Sequence, residues 1–170
     1  HLLSIINDIL DLSKIEADKL RLEEVQLDVG ELVSGVASML QDTVRAKGLA
    51  LKLDIGPLPA GLIGDATRLR QALLNYASNA VKFTAEGGVT LRVRLEEDGL
   101  DSVLLRFDVV DSGIGIARDS LARLFSSFEQ AETDTTRKYG GTGLGLVITR
   151  KLAGLMGGET GAESEPGVGS

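Results

Sequence analysis

The sequence predicts an α+β fold, a sandwich with helices on one face of a sheet and a further helix in front of it. Three observations carry this. Segments with apolar residues at three- and four-residue spacing alternate with segments where they recur at every second position, and two of the latter are joined at Asp98-Gly99 like a β-hairpin. The 170 residues are 43% hydrophobic and 25% charged, a balance that suits one buried core with an appendage. Glycine is in excess, 21 residues where average use would give roughly 12. With only three Pro and no G-X-Y period, neither collagen nor low-complexity disorder explains that excess, so the glycines serve turns or close backbone approach.

Taken in order, residues 1–20 read as a helix, with Leu2, Ile5, Ile6, Ile9, Leu12 and Ile15 on one side and Asp8, Asp11 and Lys14 on another. Leu3 and Leu10 widen its apolar surface, which suits a bundle, either with the rest of the chain or with a second subunit. Residues 23–27 are a short strand. Asp28, with Glu31 three positions on, forms a capping box that opens a helix with the apolar face Leu32, Val33, Val36, Leu40 and Val44, ended at Lys47-Gly48. Leu49, Leu51, Leu53 and Ile55 alternate as in a half-buried strand, and the breakers of residues 56–61 make a loop. Asp65 caps a helix that runs to about Phe83. Val89, Leu91, Val93 and Leu95 then alternate, and a second run from Val103 to Val110 completes the hairpin. Residues 120–128 read as a short helix, 129–141 as a polar loop, and 143–156 as a helix ended at Gly157-Gly158.

Composition removes several functions. Without Cys there is no disulfide framework, thiolate zinc site or thiol nucleophile, which suits a reducing compartment. The single His, at position 1, leaves no histidine metal site or catalytic triad. Apolar runs are too short for a membrane span, and Asn7 and Asp8 interrupt the first one, so no signal peptide is read and no membrane contact is expected of these residues. A net charge of −7 argues against a nucleic-acid surface and makes any anion site a local arrangement.

Three clusters remain as carriers of chemistry. On the helix from Asp65, Arg68, Gln71, Asn75, Asn79 and Lys82 form one polar stripe, opposite Leu69, Ala72, Leu73, Tyr76 and Ala80. The stripe is either a solvated helix side or, given two Asn one turn apart, a pair of hard carboxamide oxygens suited to Mg²⁺. Asp111-Ser112-Gly113-Ile114-Gly115 follows the second hairpin strand. It is either a plain turn or a carboxylate that accepts one directed hydrogen bond, as from an exocyclic amine, beside bare backbone on which a flat ligand can lie. Gly140-Gly141-Thr142-Gly143-Leu144-Gly145 opens the last helix, where free N–H groups and the positive dipole end favour phosphate, with Arg137 and Lys138 just before it. The spacing is neither a P-loop nor G-x-G-x-x-G.

Together these clusters resemble the sensor histidine kinase family. Asn75-Tyr-Ala-Ser-Asn79-Ala-Val-Lys82-Phe-Thr resembles its N box, Asp111-Ser-Gly113-Ile-Gly115-Ile116 its first glycine box, and Leu124-Phe125-Ser-Ser-Phe128-Glu its F box. Gly141-Thr142-Gly143-Leu144-Gly145-Leu resembles the second glycine box, and Gly167-Val-Gly169-Ser170 the start of a third. Leu2 to Leu20, with Ser13-Lys14-Ile15-Glu16-Ala17, resembles the end of the second dimerisation and phosphoacceptor helix of hybrid-type kinases. The resemblance implies a Bergerat-type two-layer α/β sandwich with a mixed sheet. It divides the chain into 1–22, the incomplete bundle helix, and 23–170, the catalytic ATP-binding domain, whose closing strand would follow Ser170.

It further implies ATP and Mg²⁺ as cofactors, bound between the Asn-bearing helix and a lid of about residues 129–142. Asp111 would take the adenine amino group, with Gly113, Gly115 and Ile116 at the adenine floor. Asn79 would hold Mg²⁺, Lys82 would meet phosphate, and residues 141–145 would cradle the triphosphate, with Arg137 toward its γ end and Phe125 and Phe128 anchoring the lid. Asn75 is the candidate catalytic residue and an ATP contact. ATP-hydrolysing relatives carry Glu there, and a carboxamide cannot act as a general base, so transfer is favoured over hydrolysis. The implied activity is transfer of the γ-phosphate to a bundle His, which His1 does not match, for relay to a response regulator receiver domain. The implied setting is a homodimer in the cytoplasm, with a parent that can be anchored in the inner membrane. The alternative is an ATP-hydrolysing clamp or ATPase of the same fold.

Overall fold

Local side-chain chemistry sets where the main helices begin. The computed structural model describes residues 2–124 and 143–170. In it Asp28 caps helix α2 (Val29–Lys47) by accepting the Glu31 N–H at 2.9 Å. Asp65 caps helix α3 (Ala66–Phe83) by accepting the Arg68 N–H at 3.0 Å. The second oxygen of Asp65 takes the Glu23 N–H at 2.9 Å, so this buried carboxylate also ties the segment before β1 to α3.

The N-terminal helix α1 (Leu2–Glu16) is shorter than its periodicity predicts. Asp18 adopts a left-handed φ of 54°, and the Lys19 N–H turns back to the Lys14 carbonyl at 2.8 Å, which closes the helix. Strand β1 (Val25–Gln26) pairs antiparallel with β3 (Ile63–Gly64), an element for which the residues before Asp65 carry no alternation. The main sheet has the order β2 (Ala50–Ile55), β4 (Gly88–Asp98), β5 (Val103–Asp111). The predicted hairpin forms with Leu91 opposite Val109, and a bulge between Leu95 and Glu97 absorbs one extra residue. Strand β2 lies parallel to β4, with Leu51 opposite Val89. The sheet is therefore mixed, with the crossover supplied by β3 and α3.

Two helices cover the inner face. Leu32, Val33 and Val36 of α2 meet Leu73, Ala77 and Val81 of α3 over Val89, Leu91 and Val93 of β4, and every one of these side chains is buried. The α2 face predicted from periodicity is buried in full. At the other end of α2, the Lys47 ammonium donates to the Val81 and Lys82 carbonyls at 2.6 and 3.1 Å, satisfying the last turn of α3. Leu53 and Ile55 stay 36% exposed because β2 is an edge strand. The chain continues through a short helix α4 (Arg118–Arg123), the described part of the helix predicted for 120–128, to helix α5 (Leu144–Leu155), which buries Val147, Ile148, Thr149 and Leu152 against α3.

Helix α1 docks by its polar edge. Asp11 is 2.9 Å from Arg68 Nη1 and accepts from Gln71 Nε2 at 2.9 Å, Glu16 lies 3.5 Å from Lys151 on α5, and Leu12 is buried. Asp8, one turn earlier, is pushed above the usual carboxylate range, first by burial and then by the charge of Asp11. Leu2, Leu3, Ile6, Ile9 and Leu10 remain exposed in this chain. Among the described residues no helix is long and apolar enough to cross a membrane.

Candidate functional site

Helix α3 is packed between α2 and α5, and this decides between the two readings of its polar stripe. Of Arg68, Gln71, Asn75, Asn79 and Lys82, only Lys82 is exposed, so the stripe is not a solvated face. Arg68 and Gln71 serve structure, holding Asp11 of α1. The opposite arc is buried at Leu73 and Ala80, joined by Ala77 and Val81, while Leu69, Ala72 and Tyr76 are half-buried. Burial holds the Tyr76 phenol above its ordinary pKa, since an ionised oxygen there would lose its hydration.

Asn75 faces the start of α5. The Asn75 amide nitrogen lies 3.3 Å from the Gly145 carbonyl oxygen and 3.3 Å from Thr149 Oγ1. A Cβ on Gly145 would come within 3.3 Å of Asn75 Cγ, so the bare Cα lets the two helices approach through this side chain. Asn79 follows one turn after Asn75 on the same side of α3, half-buried, and the Lys82 ammonium sits 5.3 Å over the Phe83 ring. Gly143 caps α5 with no side-chain hydrogen bond, and the positive dipole end of this twelve-residue helix favours anions.

Asp111 reaches the same region from the sheet. By strand alternation it lies on the inner face with Phe107 and Val109, opposite Val89, so its carboxylate points toward the helix layer. Its Oδ1 accepts the Gly113 N–H at 2.8 Å, which closes the turn and fixes the carboxylate plane. A Cβ on Gly113 would lie 2.5 Å from the Phe83 carbonyl oxygen and 2.9 Å from Thr84 Oγ1, so only glycine lets this turn rest on the end of α3. Ser112 Oγ accepts the Gly88 N–H at 3.0 Å and lies 3.2 Å from the Glu86 carbonyl, fastening the turn to the loop after α3. From the C-terminal side, the Ile116 N–H donates to Ser164 Oγ at 2.7 Å, the Gly167 N–H to the Ile114 carbonyl at 2.8 Å, and the Asp111 N–H to the Ser170 carbonyl at 2.8 Å. The third glycine cluster therefore backs the first.

Asn75, Asn79, Lys82, Asp111, Gly115, Ile116, Gly143 and Gly145 are among the residues that border one broad, open concavity. Gly113 lies behind Asp111 as a support rather than in the lining, and Leu144 does not line the concavity either. His1, Phe125, Phe128, Arg137, Gly141, Thr142 and the lid predicted for 129–142 lie outside the described residues. Sequence reasoning missed Thr149 and Ser164, and it gave Ser112, named within the Asp111–Gly115 cluster, no role. Thr149 carries one signal, a hydroxyl within an otherwise apolar arc four residues after Gly145, whereas nothing in the sequence marks Ser164.

The fold and this concavity define a class. An α+β sandwich whose Asn-bearing helix, strand-end Asp and glycine-led helix border one concavity matches the family described as histidine kinase-, DNA gyrase B-, and HSP90-like ATPase over residues 64–170, and the chain belongs to that family. Its relatives are more particular. The chain is 46% identical to the sensor histidine kinase GacS of Pseudomonas protegens over 99% of its own length and 18% of that protein's. It is 42% identical to the signal transduction histidine-protein kinase BarA of Escherichia coli K12, over 100% of the chain and 19% of BarA. Full-length ShkA, solved in complex with AMPPNP, superposes with a TM-score of 0.83 at 39% identity, covering 99% of this chain and 34% of ShkA. The chain thus spans a fifth or less of these two curated kinases.

Proposed function

We propose that this chain is the ATP-binding catalytic part of a two-component sensor histidine kinase, with residues 1–22 as the end of a dimerisation helix and 23–170 as the catalytic domain. The observation that carries the reading is that α3 joins the other two clusters, with Asn75 held against Gly145 at the start of α5 and the Asp111–Gly113 turn resting on the end of α3. The donor set fits a purine nucleotide with a hard cation. Asp111 offers a fixed acceptor for an adenine amino group, Asn79 and Asn75 offer carboxamide oxygens of the kind Mg²⁺ accepts, and the positive dipole end of α5 suits phosphate. Lys82 would meet phosphate from the rim, and Arg137, Gly141 and Thr142 would complete the phosphate end. Bound Mg²⁺ would neutralise charge on the phosphate oxygens.

The chain's own residues would then position rather than react. Asn75 cannot accept a proton, so it provides no base to activate water, which favours transfer to a protein side chain over hydrolysis. In that transfer the bond from the γ-phosphorus to the bridging oxygen breaks, a phosphorus–nitrogen bond forms to a histidine of the bundle, and ADP leaves. A receiver aspartate of a response regulator would take the group next. The exposed Leu2, Leu3, Ile6, Ile9 and Leu10 support pairing of α1 helices in a homodimer. The kinase reading carries with it a cytoplasmic setting for this part of the protein.

The test uses labelled ATP. This chain alone is expected to acquire no stable label, while a separately made bundle bearing the acceptor histidine is labelled when mixed with it. Stable label on the chain alone contradicts the reading. Rapid phosphate release without any acceptor would favour the ATP-hydrolysing clamp or ATPase instead.

A further inference from the structure

The buried polar side chains among the described residues are Asp65, Thr84 and Thr149. Asp65 caps α3, and Thr84 bonds back to the Ala80 carbonyl at 2.7 Å beneath Gly113. Thr149, only 3% exposed, does something more. Its hydroxyl proton is committed to the Gly145 carbonyl one turn back at 2.8 Å, so its oxygen faces Asn75 as an acceptor. The Gly145 carbonyl can only accept as well. Two acceptors side by side leave the Asn75 carboxamide one sensible orientation, with nitrogen toward α5 and Oδ1 turned away from the pair. An Asn held by one acceptor could pivot about that bond; held by two, its plane is set.

We propose that Thr149 is a positioning residue that, with the Gly145 carbonyl, holds the Asn75 carboxamide so that its oxygen serves the cation held by Asn79. The proposal rests on the reading of the site as an ATP and Mg²⁺ site, and it deepens that reading. It also gives the α5 N-terminus a mechanical link to the Asn-bearing helix. Movement of the first turn of α5 shifts the Gly145 carbonyl, and with it the carboxamide one residue-layer away. Gly145 then has two duties, a close-packing one toward Asn75 and a backbone one toward phosphate.

The test compares Thr149→Val, which replaces the hydroxyl with a methyl, and Thr149→Ser, which keeps it. ADP affinity is measured by calorimetry with Mg²⁺ and with chelator, and the ratio of the two is the readout. Thr149→Val is expected to reduce the Mg²⁺-dependent gain by about fivefold, the effect of one hydrogen bond, with ADP affinity in chelator unchanged, and Thr149→Ser to restore the gain. An equal loss with and without Mg²⁺ would mean that Thr149 is structural only and would overturn the proposal, as would an unchanged gain. In the nucleotide-free wild-type chain, NMR should find the Asn75 side-chain amide protons exchanging with water more slowly than those of exposed Asn7. Equal exchange overturns the proposal even if Thr149→Val does not fold. Wild-type protein with no Mg²⁺-dependent gain, but with slow Asn75 exchange, would bring down the reading of the site, and the proposal with it, while leaving the clasp as a structural fact.

Discussion

Replacing Asp111 by Asn is expected to weaken ADP binding about 10- to 100-fold, the range for one hydrogen bond to a charged acceptor, while the thermal unfolding midpoint stays close to wild type. The asymmetry follows from the two carboxylate oxygens. Oδ1 accepts the Gly113 N–H, and an amide oxygen in the variant can do the same, so the turn survives. The other position becomes an NH₂ group, a donor where the proposed site needs an acceptor for the adenine amino group. A six-oxo purine reverses that mismatch, so the variant should bind GDP better relative to ADP than wild type does. Calorimetry with both nucleotides measures this, and an Asp111→Asn protein with unaltered ADP affinity would remove Asp111 from the site.

Gly113→Ala is expected to fail for the opposite reason. The new Cβ would sit 2.5 Å from the Phe83 carbonyl oxygen, which is backbone at the end of α3, and 2.9 Å from Thr84 Oγ1, which is buried and bonded to Ala80. Neither neighbour can withdraw cheaply, so the turn must lift. The expected cost is about 2–3 kcal/mol of stability, in the range for forcing extra volume into a packed site. Nucleotide affinity should fall with it, because the lifted turn carries Asp111. Urea unfolding monitored by circular dichroism gives the first number and calorimetry the second. Stability at the wild-type level would show that the turn does not rest on α3 as described. The two substitutions separate the roles proposed for neighbouring residues, ligand contact for Asp111 and support of its turn for Gly113.

Much of the architecture was legible because its causes are local. Asp28 and Asp65 announce helix starts by a bond that spans three residues, and the alternation around Asp98-Gly99 specifies a hairpin by its period. Non-local pairing was not legible. Nothing in Val25 or Gly64 says that they pair, and alternation in β2 gives its faces but not its direction relative to β4. The site shows the same division. Asp111 and Gly113 could be singled out because a carboxylate and a bare residue end an apolar strand, and Asn75 with Asn79 because two mediocre helix formers lie one turn apart. Arg68 and Gln71 looked equally eligible on the wheel, yet their partner, Asp11, comes from a distant helix. Thr149 shows only a hydroxyl in an apolar arc until the chain is folded and Gly145 lies against Asn75.

The central claim is that nucleotide lies between α3, the Asp111 turn and the start of α5. The direct measurement is an NMR titration of the ¹⁵N-labelled chain with ADP and Mg²⁺. The largest shift changes are expected at Asn75, Asn79, Asp111, Gly113, Gly115 and Gly145, with the outer sheet face at Arg92, Arg94 and Arg106 unmoved. Changes confined to that outer face, or no change at saturating nucleotide, would contradict it.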